Sequence, residues 1–279
     1  MERDRYLPQM ATERISPTAH YTGYVWERNG LCHPALRGVV TPWLYRSVQP
    51  MMRLASPLVG LTLEDLLLQR HRIIDALLTR AIDGHGIRQV VEIACGYASR
   101  GLRFAERLPD IAYIEADLPS TAEGKRAHLR ARGVNLNNHH VVAVDALRDE
   151  GLDAARALLD EDQPTAVITE GLVNYFPPQT GREMWRRFSQ LAGPGGVYLA
   201  EVYPDDVRSG SVLQRAFVMG LSMFARGQVW QYNVKPPDLE RAGFSRAKLH
   251  LPASWTELGI PRGRRGDLIQ ILEAWNAPG

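Results

Sequence analysis

A strand that runs directly into a glycine turn, within residues 88–101, constrains this chain more than any other feature. Val90, Val91 and Ile93 form an apolar run without alternation, which is typical of a parallel strand buried on both faces. Gly96 follows at once, and the residues after it begin a helix. Such a turn directs free backbone N–H groups and the positive end of the helix at a ligand above the strand. We therefore predict a nucleotide site at the carboxyl edge of a parallel sheet.

The turn lacks the two common phosphate-binding motifs. It reads ACGYASRG, which matches neither GxGxxG nor GxxxxGK[ST]. What remains is an acid, a small residue and a glycine at alternate positions, Glu92, Ala94 and Gly96. A second apolar run ends in Asp117, and a carboxylate at the tip of the neighbouring strand can accept both hydroxyls of a ribose. The alternative for Asp117 is a helix N-cap in front of Pro119.

The composition narrows the class of protein. The chain has 279 residues, enough for one large domain, with a net charge of only +2, so we expect no nucleic-acid partner. Cys32 and Cys95 are its two cysteines, which fits neither a disulfide framework nor a metal site and indicates a cytoplasmic protein. No apolar stretch is long enough to span a membrane, so we expect no membrane partner.

Strand and helix patterns alternate along the chain. A strong helix is predicted over 62–82, with a capping box from Thr62 to Asp65 and Arg70 in the middle of its apolar face, while Asp75 points to its polar side. The alternation predicts an α/β fold, a doubly wound and mostly parallel sheet of seven strands whose last strand is antiparallel. The remaining predicted helices lie near 119–132, 150–160, 179–191 and 238–242, and the later strands at 140–144, 166–169, 196–202, 247–251 and 267–274.

Four segments together resemble class I S-adenosylmethionine-dependent methyltransferases. They are Glu92 to Gly96, EADLP from Glu115, Val141 to Asp145, and TEGLVNY from Thr169. Among these enzymes the chain is most similar to the leucine carboxyl methyltransferase family and its bacterial natural-product O-methyltransferase relatives. The resemblance covers roughly residues 62 to 203 and implies a Rossmann-like fold with S-adenosyl-L-methionine as cofactor.

The resemblance also implies roles for single residues. Arg70, in RHRIID, would hold the carboxylate of the cofactor's methionine half, Asp145 would accept from the adenine amino group, and Tyr175 would face the methyl group. The alternatives are an arginine that pairs with a neighbouring acid, an N-cap for Asp145 and an aromatic plug for Tyr175. Ala146 is smaller than the residue that often packs on the adenine in this family. The implied cofactor-binding set is Arg70, Glu92, Ala94, Gly96, Asp117, Leu118, Asp145, Ala146, Glu170 and Tyr175.

Two segments outside the motifs are predicted to cover the site. Residues 1–61 form an N-terminal helical lid on a core of residues 62–279, and residues 204–235 form a cap inserted after the fifth strand, with a helix over 205–227. Aromatic side chains that only seal a sheet edge are the alternative for the lid. The predicted substrate-binding residues are Tyr24, Trp26, Tyr175 and Tyr203.

Methyl transfer requires mainly in-line alignment and exclusion of water. A carboxylate acceptor is already ionised at neutral pH, whereas a phenol or a protonated amine needs a base. Four histidines, His20, His33, His71 and His250, lie in no base or metal motif, so no catalytic residue or metal is assigned. We predict O-methylation of a carboxylate on a small natural product or peptide. The alternatives are a phenol O- or amine N-methyltransferase, a nicotinamide oxidoreductase, and a non-catalytic binding module.

Overall fold

The computed structural model describes residues 17–40, 42–43, 45–47, 49–50, 61–204, 229–232, 234–261 and 268–279. Within them, seven strands form one sheet in the order β3-β2-β1-β4-β5-β7-β6. The strands are β1 Gln89–Ile93, β2 Ala112–Asp117, β3 His139–Ala143, β4 Thr165–Thr169, β5 Val197–Val202, β6 Arg246–His250 and β7 Gln270–Trp275. The helices are α1 Pro17–Arg28, α2 Leu63–His85, α3 Arg100–Arg107, α4 Pro119–Ala131, α5 Asp153–Arg156, α6 Pro178–Ala192 and α7 Pro236–Ala242.

The apolar run of the sequence is the central strand, β1. Val91 pairs with Ile114 of β2 on one side and with Val167 of β4 on the other, both in parallel register. Every residue of β1 and β4 is buried, which is why neither strand shows an alternating pattern. β7 runs antiparallel between β5 and β6. The predicted α/β class, a doubly wound and mostly parallel seven-stranded sheet, is confirmed.

α2 begins as its sequence predicts. The Thr62 hydroxyl accepts from the Asp65 N–H at 3.1 Å, and the Asp65 carboxylate accepts from the Thr62 N–H at 2.7 Å. The helix runs to His85, three residues beyond the predicted end, and stops at Gly86 with φ 71°. Its buried face packs against the sheet, while α1 packs on its first turns.

The helix predicted near 150–160 is shorter and less regular in the structure. Residues Glu150–Leu152 form a 3₁₀ turn, followed by the four-residue α5. The chain folds back tightly here, because the Asp145 N–H donates to the Gly151 carbonyl at 3.0 Å. A Cβ at Gly151 would lie 2.0 Å from the Asp145 carbonyl oxygen, so this approach requires glycine.

Several predictions concern residues outside the described part of the chain. The helix expected over 205–227 lies there, as do most of the predicted cap and part of the predicted lid. The division into lid, core and cap therefore stays a prediction. Among the helices that the structure describes, none combines the length and the apolar character that a membrane crossing requires.

Candidate active site

The strand order reverses between β1 and β4, and the glycine turn lies at the carboxyl end of β1. Ala94 and Gly96 have φ values of 58° and 52°, in the left-handed region. Ala94 is the only described residue other than glycine with a positive φ. Open parallel sheets bind their ligands in the crevice at such a switch point.

Asp117, at the tip of β2, is bound to this turn. The Gly96 N–H donates to Asp117 Oδ2 at 2.7 Å, and the Leu118 N–H donates to Oδ1 at 2.8 Å. Burial raises the pKa of Asp117, while the two backbone donors oppose that shift. Leu118, rather than Asp117, occupies the N-cap position of α4. The predicted residues Ala94, Gly96, Asp117 and Leu118 are therefore brought together.

Glu92 points into the protein and not at the open edge of the sheet. The residue is 1% exposed; Tyr113 donates to its Oε2 at 2.7 Å, and Arg100 donates to its Oε1. Burial raises the pKa of the Glu92 carboxyl, with Arg100 opposing. Because both carboxylate oxygens are engaged, its link to a ligand at the turn is indirect, through the network below.

Arg100, at the start of α3, is the centre of a buried ionic network. It is fully buried, and it donates to Asp75 and to Glu170 at 2.5 Å each, besides Glu92. The prediction that Asp75 faces the polar side of α2 is wrong, since Asp75 turns inward to Arg100 and Arg103. Burial raises its pKa, but the neighbouring cations lower it to about 2. The sequence analysis did not identify Arg100, although an arginine so close to Glu92 in a buried strand could have indicated a buried ion pair.

Glu170, which follows β4, joins this network to the open edge. Arg70 Nε donates to its Oε1 at 2.9 Å, and His71 Nδ1 lies 2.9 Å from its Oε2, to which Arg100 also donates. Burial opposes ionisation, yet these three groups hold the pKa of Glu170 well below its ordinary value. The His71 ring is fully buried and stacks on Trp26 at 4.2 Å between centroids.

A small cavity of about 40 Å³ opens beside Arg70, over the carboxyl ends of β4 and β5. The predicted residues Tyr175 and Tyr203 line it. Tyr24 and Trp26 are not among its described lining residues, because Trp26 stacks on His71 and Tyr24 packs on Tyr45. The described lining consists of Tyr21, Thr22, Leu63, Leu67, Arg70, Gly171, Asn174, Tyr175, Glu201, Tyr203 and Val229.

Glu201, near the end of β5, is a cavity residue that sequence reasoning missed. Its Oε1 accepts from the Gly171 N–H at 2.7 Å and lies 3.5 Å from Arg70 Nη1. Its Oε2 is buried and has no hydrogen-bond partner. Burial and the nearby Glu170 raise the pKa of Glu201 to about 7, with Arg70 opposing. A glutamate inside the apolar run VYLAEV was the available signal, since such a group is buried only at a cost.

Arg70 is buried between Glu170 and Glu201. Glu170 follows β4 and Glu201 lies on β5, so Arg70 pairs with neighbouring acids, as the alternative to a cofactor role expects. Gly171 has φ 75°, and a Cβ there would lie 3.3 Å from Arg70 Nη2. The glycine after Glu170 therefore allows the guanidinium to approach the backbone closely.

Asp145 and Ala146 lie just beyond β3, on the far side of β2 from β1. The Leu147 N–H donates to Asp145 Oδ1 at 3.0 Å, which forms a local turn instead of a helix cap. Ala146 packs against the core on one sheet face. Neither residue is among the described residues that line the cavity.

The described histidine side chains near carboxylates are paired. His33 lies 2.9 Å from Glu106, and His250 lies 2.6 Å from Glu273. The side chain of His20 is outside the described set. Within the portion of the chain that the structure describes, no group of three or more histidine, cysteine or acidic residues is arranged to hold a metal ion.

A glycine turn at β1, an acid at the tip of β2 and a seven-stranded sheet with an antiparallel β7 define the class I methyltransferase fold. Solved structures agree. A DUF574-family protein from Streptomyces avermitilis superposes with a TM-score of 0.68 at 13% identity, covering 93% of this chain and 97% of that one. A protein from Thermobifida fusca, provisionally named a methyltransferase, gives 0.65 at 16% identity, covering 97% and 98%.

Residues 51–188 match the model of the leucine carboxyl methyltransferase family. A protein of Mycobacterium marinum, provisionally named an S-adenosyl-L-methionine-dependent methyltransferase, is 33% identical over 175 residues, 58% of this chain and 56% of that protein. A protein of Mycolicibacterium paratuberculosis with the same name is 30% identical over 197 residues, 69% and 60% of the two chains. This chain thus spans less than two thirds of the length of either relative.

Proposed function

We propose that this protein is an S-adenosyl-L-methionine-dependent methyltransferase. The observation that carries the proposal is the contact between Gly96 and Asp117, which places a carboxylate beside a left-handed turn at the switch point of the sheet. Each oxygen of that carboxylate accepts one backbone N–H and has a lone pair left for a ribose hydroxyl. The names of the mycobacterial relatives support the same cofactor and activity.

The remaining predicted residues extend this placement. We assign the ribose to Asp117, the adenine to the region of Asp145 and Ala146, and the methionine end to Arg70. When bound, the cofactor supplies an electrophilic methyl group. The chain's own contribution is to align that methyl group with an acceptor in the cavity, with Tyr175 beside it, and to exclude water.

For the acceptor we propose a carboxylate on a small molecule or peptide, methylated to an ester. The description of the matched family supports this choice. Such an acceptor is ionised at neutral pH and needs no base. The tyrosines and leucines that line the cavity would pack against the apolar part of the acceptor.

A hydroxyl or amine acceptor is a second candidate, and Glu201 favours it. A nucleophile that carries a proton requires a base within hydrogen-bond reach. Glu201 lines the cavity and has one carboxylate oxygen without a hydrogen-bond partner, so this residue could take that proton. We place the reaction in the cytoplasm, since both Cys32 and Cys95 are free thiols.

Two measurements test these proposals. Calorimetry should show that the protein binds S-adenosylhomocysteine and does not bind NAD. Binding of NAD instead would favour the alternative of a nicotinamide oxidoreductase. The purified protein is then incubated with a cell extract and cofactor that carries a radiolabelled methyl group. Label released as methanol by mild alkali indicates an ester, whereas alkali-stable label indicates an ether or amine. Binding without any transfer would leave only a binding module.

A further inference from the structure

Lys125, on α4, is a fully buried lysine that contacts the turn after β1. Its ammonium group lies 2.8 Å from Glu115 Oε2, on β2. It also donates to the Ala98 carbonyl at 2.6 Å and to Cys95 Sγ at 3.7 Å. An ammonium group has three N–H donors, so each of them has an acceptor here. Two of these acceptors belong to the turn, one on each side of Gly96.

The ion pair with Glu115 does not by itself explain why a lysine is buried here. Removing an ammonium group from water is costly, and a buried ion pair often stabilises a protein no more than apolar side chains of the same volume. Glu115 also has a second partner, because His139 Nε2 lies 3.0 Å from the same oxygen. Burial raises the pKa of Glu115, but Lys125 and His139 lower it to about 2. The contacts that distinguish Lys125 from His139 are those with the turn.

α4 lies close against this turn at Gly124, the residue before Lys125. A Cβ at Gly124 would lie 2.7 Å from the Tyr97 hydroxyl oxygen, so a larger residue would require Tyr97 to move. Glycine in the interior of a helix lowers stability relative to alanine. The helix thus contains an unfavourable residue at the point where that residue permits close approach to the turn, directly beside the lysine.

The turn that Lys125 contacts is the one that orients Asp117. Gly96, which lies between the two contacted residues, donates its N–H to Asp117 Oδ2 at 2.7 Å. An ionised carboxylate accepts about four hydrogen bonds, and the N–H groups of Gly96 and Leu118 use two of them. The acceptor positions that remain are sufficient for the two hydroxyls of a ribose. If the turn moved, the Asp117 carboxylate would lose the donor that fixes its orientation.

We propose that Lys125 is a positioning residue for the ribose of the cofactor, which acts by fixing the turn that holds Asp117. The proposal rests on the proposed function, since the ribose is that of S-adenosyl-L-methionine. Lys125 does not touch the ligand; its hydrogen bond to the Ala98 carbonyl keeps the Gly96 N–H directed at Asp117. Burial raises the pKa of Asp117, and the nearby ammonium opposes that shift, so Lys125 also favours the ionised carboxylate.

The test removes the ion pair as a unit. Lys125→Met alone leaves the buried Glu115 without its cation and destabilises the fold, so the double variant Lys125→Met/Glu115→Gln is used. Titration calorimetry measures S-adenosylhomocysteine and 5′-methylthioadenosine, both of which contain the ribose. We expect the double variant to bind both ligands at least about tenfold more weakly than wild type, as for a lost hydrogen bond from a charged group. Glu115→Gln is the matched control and should stay within about threefold of wild type, because Lys125 keeps its contacts with the turn.

The outcomes separate this proposal from the proposed cofactor. Equal affinities of the double variant and the control for both ligands overturn the role of Lys125. A loss confined to S-adenosylhomocysteine also overturns it, because that loss would lie at the amino-acid end. If the wild-type protein binds neither ligand, the proposed cofactor is wrong and the role of Lys125 is refuted with it. If circular dichroism shows the double variant unfolded, Gly124→Ala decides: it keeps both charges, and unchanged affinity for both ligands would refute the proposal.

The pH dependence of binding is a readout that a purely structural role would not change. The groups that face Asp117 are the N–H groups of Gly96 and Leu118, and Thr121 and Lys125 from α4. Protonation removes an acceptor position, so wild-type affinity for S-adenosylhomocysteine should fall as the pH decreases through the pKa of Asp117. Without the nearby ammonium that pKa is higher, so the fall should begin at a higher pH in the double variant. The same profile in both proteins contradicts the assignment.

Discussion

Arg100 donates a hydrogen bond to Glu170 at 2.5 Å, and this contact ties the helix after β1 to the end of β4. The two strands are neighbours at the switch point, so the contact lies directly beneath the proposed cofactor site. It links residues seventy positions apart; the Arg100 side chain is fully buried, and the Glu170 side chain is 8% exposed. The floor of the site is therefore a charged network and not an apolar surface.

Replacing Arg100 should strongly lower the free energy of unfolding of the protein. Arg100→Met leaves three buried carboxylates without their shared cation, and breaking a buried pair in this way costs about 3 to 5 kcal/mol. Urea unfolding followed by circular dichroism measures the change. Arg241→Met, which removes an exposed arginine paired with Asp238, should cost less than about 1 kcal/mol. Similar losses in both variants would contradict the central place of Arg100.

Asp117 and Arg70 should each contribute to cofactor affinity. Asp117→Ala and Arg70→Ala are expected to weaken S-adenosylhomocysteine binding by about 1 to 3 kcal/mol, the scale of a lost charged hydrogen bond. Calorimetry measures this, with Asp153→Ala at an exposed acid as control. Unchanged affinity in both variants would refute the site.

Two substitutions in the turn after β1 should change the stability of the protein in opposite directions. Ala94 has φ 58°, which costs an alanine about 1 kcal/mol, so Ala94→Gly should stabilise the protein by roughly 0.5 to 1 kcal/mol. Gly96 has φ 52° with open space where a Cβ would lie, so Gly96→Ala should destabilise it by about 1 kcal/mol through backbone strain alone. Thermal unfolding checks both, and stabilisation by Gly96→Ala would show that the turn has another geometry.

Glu201 should make the stability of the protein depend on pH. Its pKa is raised to about 7 in the folded state, above the value of about 4.3 in an unfolded chain, so the folded protein binds the proton more tightly. The stability this contributes is present below pH 4 and is lost as the pH rises to 7. Relative to wild type, Glu201→Gln should therefore gain about 1 to 3 kcal/mol between pH 4.5 and pH 8. Urea titrations at both pH values measure the difference; a constant offset would mean that Glu201 is ionised throughout.

The sequence alone was sufficient to predict the strands of the sheet. Fully buried strands read as apolar runs, and Thr62 with Asp65 marked the start of α2, because these signals depend on neighbouring residues. The positions of Asp117 beside Gly96, and of Tyr175 and Tyr203 at the cavity, follow from the rule that parallel strands end at one edge.

Tertiary structure alone decided which charges meet. Helical periodicity could not show that Asp75 turns inward, because its partner Arg100 comes from another element. Likewise, a glutamate in a buried strand shows only that some group must compensate its charge, and whether one does depends on side chains from distant parts of the chain. The chain's local pattern thus determined the scaffold and the location of the site, whereas long-range packing determined that Glu201 keeps a free oxygen beside Arg70.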